Sequence, residues 1–249
     1  MKIYVGSEEQ IAKKAAQQYV DLLTKKPNAV LGGATGSTPL GLYHELARLN
    51  KEGVITFKDV TTFNLDEYVG LDGSHDQSYR YFMNHNLFDH IDIDKERTHV
   101  PDGINLENIK TYDKAIEKAG GIDLQILGIG VDGHIAFNEP GTPFESLTHV
   151  VELEENTREV NSRFFKSIDE VPHQAVTMGI KSIMHARSII LIALGDNKAD
   201  VVEKMINGPV DTAVAASILQ LHPDCTVYLD EKAAAKLLAS GADVEIERI

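Results

Sequence analysis

The stretch Leu127-Gly-Ile-Gly-Val-Asp132-Gly-His134-Ile-Ala-Phe-Asn-Glu139-Pro140 follows directly on an apolar run of branched residues that begins at Ile122. A short apolar run that ends in glycine is typical of a buried parallel strand. In open α/β sheets, ligands bind beside the carboxyl ends of such strands. The stretch therefore predicts an α/β fold whose sheet carries the polar groups of Asp132, His134 and Glu139 at its ligand-binding edge.

Strands and helices alternate through the rest of the chain. The residue patterns predict strands at 29–31, 59–65, 188–194 and 225–229, and helices at 7–24, 39–50, 77–91, 105–119 and 230–239. This alternation predicts a doubly wound, mostly parallel, Rossmann-like sheet with helices on both faces. The sequence has no linker or repeat, so we expect one domain over residues 1–249. The polar, weakly periodic segment 142–165 is expected to cover the site and could act as a lid.

Composition limits the class of protein. Cys225 is the only cysteine, so no intrachain disulfide can form, which fits a reducing compartment. The N-terminus becomes acidic too early for a signal peptide, and no apolar run reaches the roughly 20 residues of a membrane span. A formal net charge of -14 disfavours binding to nucleic acid or to anionic membranes. We therefore expect a cytoplasmic protein.

Two glycine-rich segments have the form of nucleotide-binding motifs without their context. Residues 128–133 match the dinucleotide fingerprint, but Pro140 interrupts the chain where that fingerprint requires a long helix. The loop 32–39 lacks the lysine of a Walker A motif. The acidic segment 92–96 lacks the glycine and the terminal glutamate of a calcium-binding loop. We expect no cofactor and no metal ion.

His134 is the candidate proton carrier of the opening stretch. Its unperturbed pKa lies near neutral pH, so a small change in surroundings decides whether it donates or accepts a proton. Asp132 or Glu139 could orient the ring and stabilise the imidazolium. Taken alone, these three residues could also be a histidine that caps a turn and two solvated carboxylates.

A second candidate site is the loop Gly33-Ala-Thr35-Gly36-Ser37-Thr38-Pro39, between a predicted strand and a predicted helix. Small residues let backbone amides and hydroxyls approach an anion at the start of a helix. A phosphorylated sugar would suit such a loop, whereas a simple turn made of small residues remains the alternative. In a chain this acidic, the basic residues near loops are informative, and Arg163 and Lys198 are two of them.

Two long motifs resemble those of one enzyme family. Gly130-Val-Asp132-Gly-His134-Ile-Ala-Phe-Asn-Glu139-Pro140 is similar to the signature of the glucosamine-6-phosphate deaminases, and Phe63-Asn-Leu-Asp66-Glu67-Tyr-Val-Gly70 is similar to their second motif. The similarity continues through the loop 33–39 and through three further segments, so it covers nearly the whole chain. These segments are Asn161-Ser-Arg163-Phe-Phe165, Gly195-Asp-Asn-Lys198 and Leu219-Gln-Leu-His-Pro223.

The resemblance implies isomerisation and deamination of glucosamine 6-phosphate to fructose 6-phosphate and ammonia, by acid–base catalysis without a cofactor. It assigns the base that takes the C2 proton to Asp66, and proton transfer during ring opening to His134 with Asp132 and Glu139. Glu67 is left with a structural or supporting role. The resemblance assigns the substrate phosphate to Thr35, Gly36, Ser37, Thr38, Arg163 and Lys198.

Two other functions fit parts of the pattern. The 6-phosphogluconolactonases resemble this family in fold and in the Asp-Gly-His motif, and some transcriptional regulators carry a related sugar-phosphate sensor. Asn138, Glu139 and the motif around Asp66 favour the deaminase. In longer, hexameric members an arginine and a lysine bind the allosteric phosphate, but His149 and Val151 stand at those positions here. We therefore expect a monomer with little allosteric activation, although a homo-oligomer is compatible with the sequence.

Overall fold

The computed structural model describes residues 1–241 and 244–249. Within these ranges the chain forms eleven strands, most of them short. Their bounds are β1 Lys2–Val5, β2 Val30–Gly33, β3 Thr61–Asn64, β4 Asp66–Tyr68, β5 Thr98–His99, β6 Leu124–Leu127, β7 His149–Glu152, β8 Gln174–Thr177, β9 Ser188–Ala193, β10 Cys225–Leu229 and β11 Ile246–Arg248.

Eight α-helices connect these strands in the described part of the chain. They are α1 Glu8–Lys25, α2 Leu40–Lys51, α3 Tyr79–Asn86, α4 Ile109–Lys118, α5 Glu155–Asn161, α6 Ile180–Met184, α7 Ala199–Asn207 and α8 Ala235–Ala239. Among the described residues, no helix combines the length and the apolar character needed to cross a membrane.

The central sheet has eight strands in the order β11-β1-β10-β9-β6-β2-β3-β5, and each neighbouring pair is parallel. Strands β6 and β10 are buried along their whole length, as expected for a parallel sheet covered by helices. The predicted doubly wound α/β class is therefore confirmed. The order changes direction beside β6, whose carboxyl end continues into the motif loop 128–141.

Most predicted helices form, but three are shorter than expected, and the one predicted over 105–119 begins only at Ile109, after a 3-10 turn. Ser7 begins α1 as predicted: its hydroxyl accepts a hydrogen bond from Gln10 N, and the Gln10 side chain accepts one from Ser7 N. The helix predicted over 77–91 ends at Asn86, because the backbone leaves the helical region at Leu87 and continues as a 3-10 turn. The helix predicted over 230–239 covers only α8, since residues 231–234 form turns.

A second, antiparallel sheet was not predicted. Its order is β4-β8-β7, with Asp66 opposite Thr177 and His149 also opposite Thr177. The strand β7 and the helix α5 both lie in the segment 142–165, which the sequence presented only as a polar cover. This small sheet places Asp66 in a buried strand rather than in a loop beyond the end of β3.

Candidate active site

The motif loop after β6 folds back on itself at two glycines. Gly130 N donates a hydrogen bond to His134 O at 2.9 Å, and Gly133 N donates one to Gly130 O at 3.1 Å. Gly133 has φ +94°, a conformation that favours glycine. A Cβ placed on Gly130 would lie 2.3 Å from the imidazole of His134, so the ring occupies the space that this glycine leaves open. The loop therefore fixes the imidazole through its backbone.

The imidazole lies between two carboxylates. His134 Nδ1 is 2.7 Å from Asp132 Oδ1 and 3.5 Å from Glu139 Oε2. Asp132 Oδ1 also accepts a hydrogen bond from His134 N at 3.1 Å. The side chains of His134 and Asp132 are 23% and 27% exposed, whereas Glu139 is buried. The three predicted acid–base residues of this loop are thus brought together, with the imidazole still open to a ligand.

The two carboxylates control the charge of the ring. Burial alone would lower the pKa of His134, but the contacts with Asp132 and Glu139 outweigh it and raise that pKa to about 9. Burial alone would raise the pKa of Asp132. The contacts of Asp132 with His134 outweigh burial and hold that pKa well below its usual range. At neutral pH the site therefore contains an imidazolium paired with an aspartate.

Asp66 and Glu67 are both buried at the start of β4, where two acids in a loop would have been expected at the surface. Burial and, to a smaller extent, the charge of Glu67 raise the pKa of Asp66, the positive charge of His134 opposes both, and the net result is a pKa of about 8. Asp66 is therefore close enough to His134 for the two to interact electrostatically. It forms a second proton-exchanging group near neutral pH.

Glu67 has a different environment from its neighbour. Its carboxylate accepts hydrogen bonds from the backbone amides of Tyr68 at 2.9 Å, Tyr79 at 2.9 Å and Arg80 at 3.0 Å. Two of these amides belong to the first turn of α3, whose N-terminal N–H groups need acceptors. These contacts fit the supporting role expected for Glu67, because they tie α3 to β4.

The carboxyl end of β8 holds the two acid–base segments together. Met178 N donates to Leu65 O at 2.7 Å, directly before Asp66. Two contacts join the same end of β8 to the motif loop: Phe137 N donates to Thr177 Oγ1 at 3.1 Å, and Asn138 Nδ2 donates to Met178 O at 2.8 Å. The unpredicted small sheet therefore places the strand of Asp66 against the loop of His134 and Glu139.

The predicted phosphate residues lie in three segments. Thr35, Gly36, Ser37 and Thr38 form the turn between β2 and α2, in which Gly36 has φ +87°. Tyr43 fixes the start of this turn, since its hydroxyl donates to Ala34 O at 2.6 Å and accepts from Ala34 N at 3.0 Å. Thr38 Oγ1 comes within 4.0 Å of the position that a Cβ would take on Gly128. The turn therefore reaches the motif loop.

Lys198 also reaches the motif loop, from the turn before α7. Its Nζ donates a hydrogen bond to Ile129 O at 2.7 Å. Burial lowers the pKa of Lys198, Asp132 opposes that change, and the positive charge of Arg163 adds to it. Lys198 and Arg163 are therefore near enough to repel each other, an arrangement that a bound dianion would stabilise. Lys198 therefore lies close to Asp132, and Arg163 lies close to Lys198.

The acid–base cluster also has the composition of a metal site. One nitrogen of His134 and one oxygen each of Asp132 and Glu139 lie within 4.8 Å of one another. However, ligands held about 2.0–2.2 Å from a zinc ion in tetrahedral geometry stay more than about 3 Å apart. The 2.7 Å contact between Nδ1 and Asp132 Oδ1 is instead the length of a direct charge-assisted contact. The arrangement fits proton transfer better than metal binding.

Sequence reasoning missed two threonines that contact this cluster. Thr177 accepts the hydrogen bond of Phe137 N, and Thr157 Oγ1 donates to Glu139 Oε1 at 2.7 Å. Thr157 lies on α5, within the segment 142–165, and it is buried. No spacing or composition signal distinguishes either threonine, because their partners lie 40 and 18 residues away in the sequence and are brought to them only by the fold.

Comparison with known proteins shows which family this chain resembles. The family described as glucosamine-6-phosphate isomerases/6-phosphogluconolactonase matches residues 6–227. The chain is 54% identical to the glucosamine-6-phosphate deaminase of Thermoanaerobacter pseudethanolicus over 238 residues, which cover 94% of each protein. It is 52% identical to that of Clostridium perfringens over 240 residues, 95% of this chain and 98% of the relative.

Solved structures agree with these relatives. A monomeric glucosamine-6-phosphate deaminase matches with a TM-score of 0.92 and 44% identity, over 95% of this chain and all (100%) of the other. The 6-phosphogluconolactonase of Thermotoga maritima matches with a TM-score of 0.72 and 22% identity, over 92% of this chain and 98% of that protein. The second likeness shows a shared fold.

Proposed function

We propose that this chain, which belongs to the family of glucosamine-6-phosphate isomerases and 6-phosphogluconolactonases, is an enzyme that converts glucosamine 6-phosphate and water to fructose 6-phosphate and ammonia. One feature of the site supports this reaction most directly. A buried carboxyl with a pKa of about 8 lies near an imidazolium with a pKa of about 9, beside two cations. Two proton transfers to a phosphorylated sugar require such groups.

His134 opens the pyranose ring in this proposal. Because the imidazole of His134 is protonated at neutral pH, it first donates a proton to the ring oxygen of the sugar. The neutral imidazole then takes the proton of the C1 hydroxyl, which leaves an open-chain aldehyde and restores the imidazolium. Asp132 and Glu139 stabilise the charged form, so they favour this order of transfer.

Asp66 carries out the isomerisation. The aldehyde makes the C2 proton acidic, and the Asp66 carboxylate removes it while a proton passes from the substrate's ammonium group to O1, which gives a neutral enolamine. The same proton is returned to C1, which yields a ketose imine. Water adds to this imine, and the C–N bond breaks to release ammonia and fructose 6-phosphate. The substrate's ammonium group would lower the pKa of Asp66 on binding and so generate the base form.

The phosphate would lie between Lys198, Arg163 and the turn of Thr35, Gly36, Ser37 and Thr38. An arginine binds phosphate oxygens with two parallel hydrogen bonds, and a lysine adds a point charge. The contact of Lys198 with the motif loop and the proximity of Arg163 to Lys198 support this arrangement. It would leave C1 and C2 of the sugar facing His134 and Asp66.

We further propose a cytoplasmic monomer without strong allosteric activation. The single cysteine, Cys225, is buried and unpaired, as in proteins of reducing compartments. A relative of 44% identity is described as monomeric. His149 and Val151 lie on β7 at the positions where cations would be needed for an allosteric phosphate. Hyperbolic kinetics unchanged by N-acetylglucosamine 6-phosphate are expected, together with a monomer in sedimentation analysis.

The decisive experiment measures ammonia and fructose 6-phosphate released from glucosamine 6-phosphate by purified protein treated with a chelator. Equal amounts of both products without added cofactor are expected. A parallel assay with 6-phosphogluconolactone tests the hydrolase alternative, and binding of the sugar phosphate without turnover would favour a sensor. Hydrolysis of the lactone alone would reject the proposal.

A further inference from the structure

The two carboxylate oxygens of Glu139 have separate partners. Oε1 accepts a hydrogen bond from the hydroxyl of Thr157 at 2.7 Å, whereas Oε2 faces His134 Nδ1 at 3.5 Å. The Glu139 side chain is only 8% exposed, so water can do little to fix its orientation. The residue that sets the rotation of this carboxylate is therefore Thr157, which belongs to a different segment of the chain.

We propose that Thr157 is a positioning residue: its hydroxyl fixes the Glu139 carboxylate so that Oε2 stays directed at the imidazole of His134. The inference rests on the proposed function in that it takes His134 as the proton carrier. Thr157 itself touches neither the imidazole nor, in this proposal, the sugar. It acts through Glu139 alone.

The loop geometry explains why a separate anchor is needed. The backbone of Glu139 is already held, because its N–H donates to Phe137 O at 3.1 Å and its carbonyl accepts from Thr142 Oγ1 at 2.7 Å. Neither contact restrains the carboxylate, whose terminal torsion has a broad and weakly determined minimum. A buried carboxylate oxygen without a donor is also costly. The Thr157 hydroxyl supplies a donor to Oε1 and fixes the carboxylate, while Oε2 has no hydrogen-bond partner among the described residues and faces the imidazole.

The anchor connects the covering segment to the chemistry. Thr157 lies on α5, and the next residue, Arg158, holds this helix by donating to Ile168 O at 2.9 Å and Val171 O at 3.3 Å. If the segment 142–165 moves as a lid, the hydrogen bond to Glu139 must break or form with it. The orientation of Glu139, and with it the charge state of His134, then depends on where α5 lies.

The charged groups around His134 determine the direction of the effect. Asp132 and Glu139 contact the ring from its own loop, Asp66 acts on it from β4, and Lys198 lies beside Asp132. Loss of the Thr157 hydroxyl weakens only the contribution of Glu139, because the freed carboxylate can turn away from the ring. The imidazolium is then stabilised less, so the pKa of His134 should fall.

Thr157→Val tests this inference, since valine keeps the shape and removes the hydroxyl. Thr157→Ser restores a donor, and Thr148→Val is the matched control. Thr148 is as buried as Thr157, at 7% exposure, and its hydroxyl has no hydrogen-bond partner among the described residues. For each variant we would measure kcat and KM across pH, and follow the titration of the His134 ring by NMR on the free protein.

In Thr157→Val, kcat should fall by about tenfold or more, as expected for a lost hydrogen bond to a charged group. The alkaline limb of the pH profile and the NMR titration of His134 should both move to lower pH, and KM should change little. Thr157→Ser should recover most of the loss. A Thr157→Val variant that matches Thr148→Val in kcat, or that loses kcat while His134 titrates as in the wild type, would overturn the inference.

The NMR titration needs no substrate. If the wild-type protein releases no ammonia, the proposed function fails, but the effect of Thr157 on His134 is still measured. If ammonia is released and the titration is the same in all three variants, the positioning role fails alone.

Discussion

The substitution Gly130→Ala tests whether the position of the imidazole, rather than its presence, limits turnover. A Cβ at Gly130 would lie 2.3 Å from both Nδ1 and Cε1 of His134. Carbon atoms in contact need roughly 3.5 Å, so the ring would have to retreat by about 1 Å. The backbone at Gly130 is outside the left-handed region, so alanine itself introduces no φ strain. The substitution should therefore displace the imidazole of His134 without straining the backbone of the loop.

The expected magnitude follows from this displacement. A misplacement of about 1 Å can lower the rate of an oriented reaction by about 100-fold. We expect kcat for ammonia release to fall by about that factor, with KM within a few-fold of the wild type, because the proposed phosphate contacts are not altered. Initial rates from a coupled ammonia assay over a range of glucosamine 6-phosphate concentrations would measure both parameters.

Gly41→Ala provides the control. Its new Cβ would lie 3.6 Å from the Cβ of Ala12, an ordinary contact between α2 and α1. We expect unchanged kcat and an increase in unfolding free energy of about 0.5–1 kcal/mol, as for glycine to alanine in a helix. If Gly130→Ala is folded and turns over within about twofold of the wild type, the imidazole is not where the reaction needs it, and the proposed role of His134 fails.

Three further predictions test the remaining groups. Asp66→Asn should lower kcat by at least about 100-fold with little change in KM, because the amide cannot accept the C2 proton; near-normal ammonia release would remove Asp66 from the mechanism. Lys198→Ala and Arg163→Ala should each weaken the binding of inorganic phosphate by about tenfold and raise KM more than they lower kcat. Calorimetric titration measures this affinity, and an unchanged value would contradict the phosphate assignment. The ratio kcat/KM should rise with pH through about 8, as Asp66 ionises, and fall through about 9, as His134 loses its proton. A flat profile from pH 6 to 10 in stopped assays would be incompatible with both assignments.

The central sheet was predictable because its strands carry their own signal. The strand over residues 225–229 was predicted with the bounds that β10 has, and the strand at 188–194 differs from β9 by one residue. Both are mostly apolar runs of branched and aromatic residues, as expected for strands that are buried on two faces. Ser7 was predictable as a helix cap because its signal is also local: its hydroxyl accepts a hydrogen bond from a residue of the first helical turn.

The small sheet could not be predicted in this way. Its strands have three or four residues, and β7 is partly exposed, so the apolar pattern is weak. Their partners are remote in sequence, since Asp66 pairs with Thr177. The sequence therefore placed the acids of the second motif in a loop, and it gave no indication that Thr157 would contact Glu139.

The division of labour between Asp66 and Glu67 shows how the fold makes a base from one of two adjacent acids. Successive residues of a strand point to opposite faces, so the two carboxyl groups of β4 meet different surroundings. Burial raises the pKa of Glu67, and three amide donors oppose that change and hold its carboxylate at the first turn of α3. That fixed negative charge then acts on Asp66, where burial already disfavours ionisation, and raises its pKa further. The acid that holds the helix therefore also tunes the acid proposed to move the proton, and neither property can be assigned from the Asp-Glu pair alone.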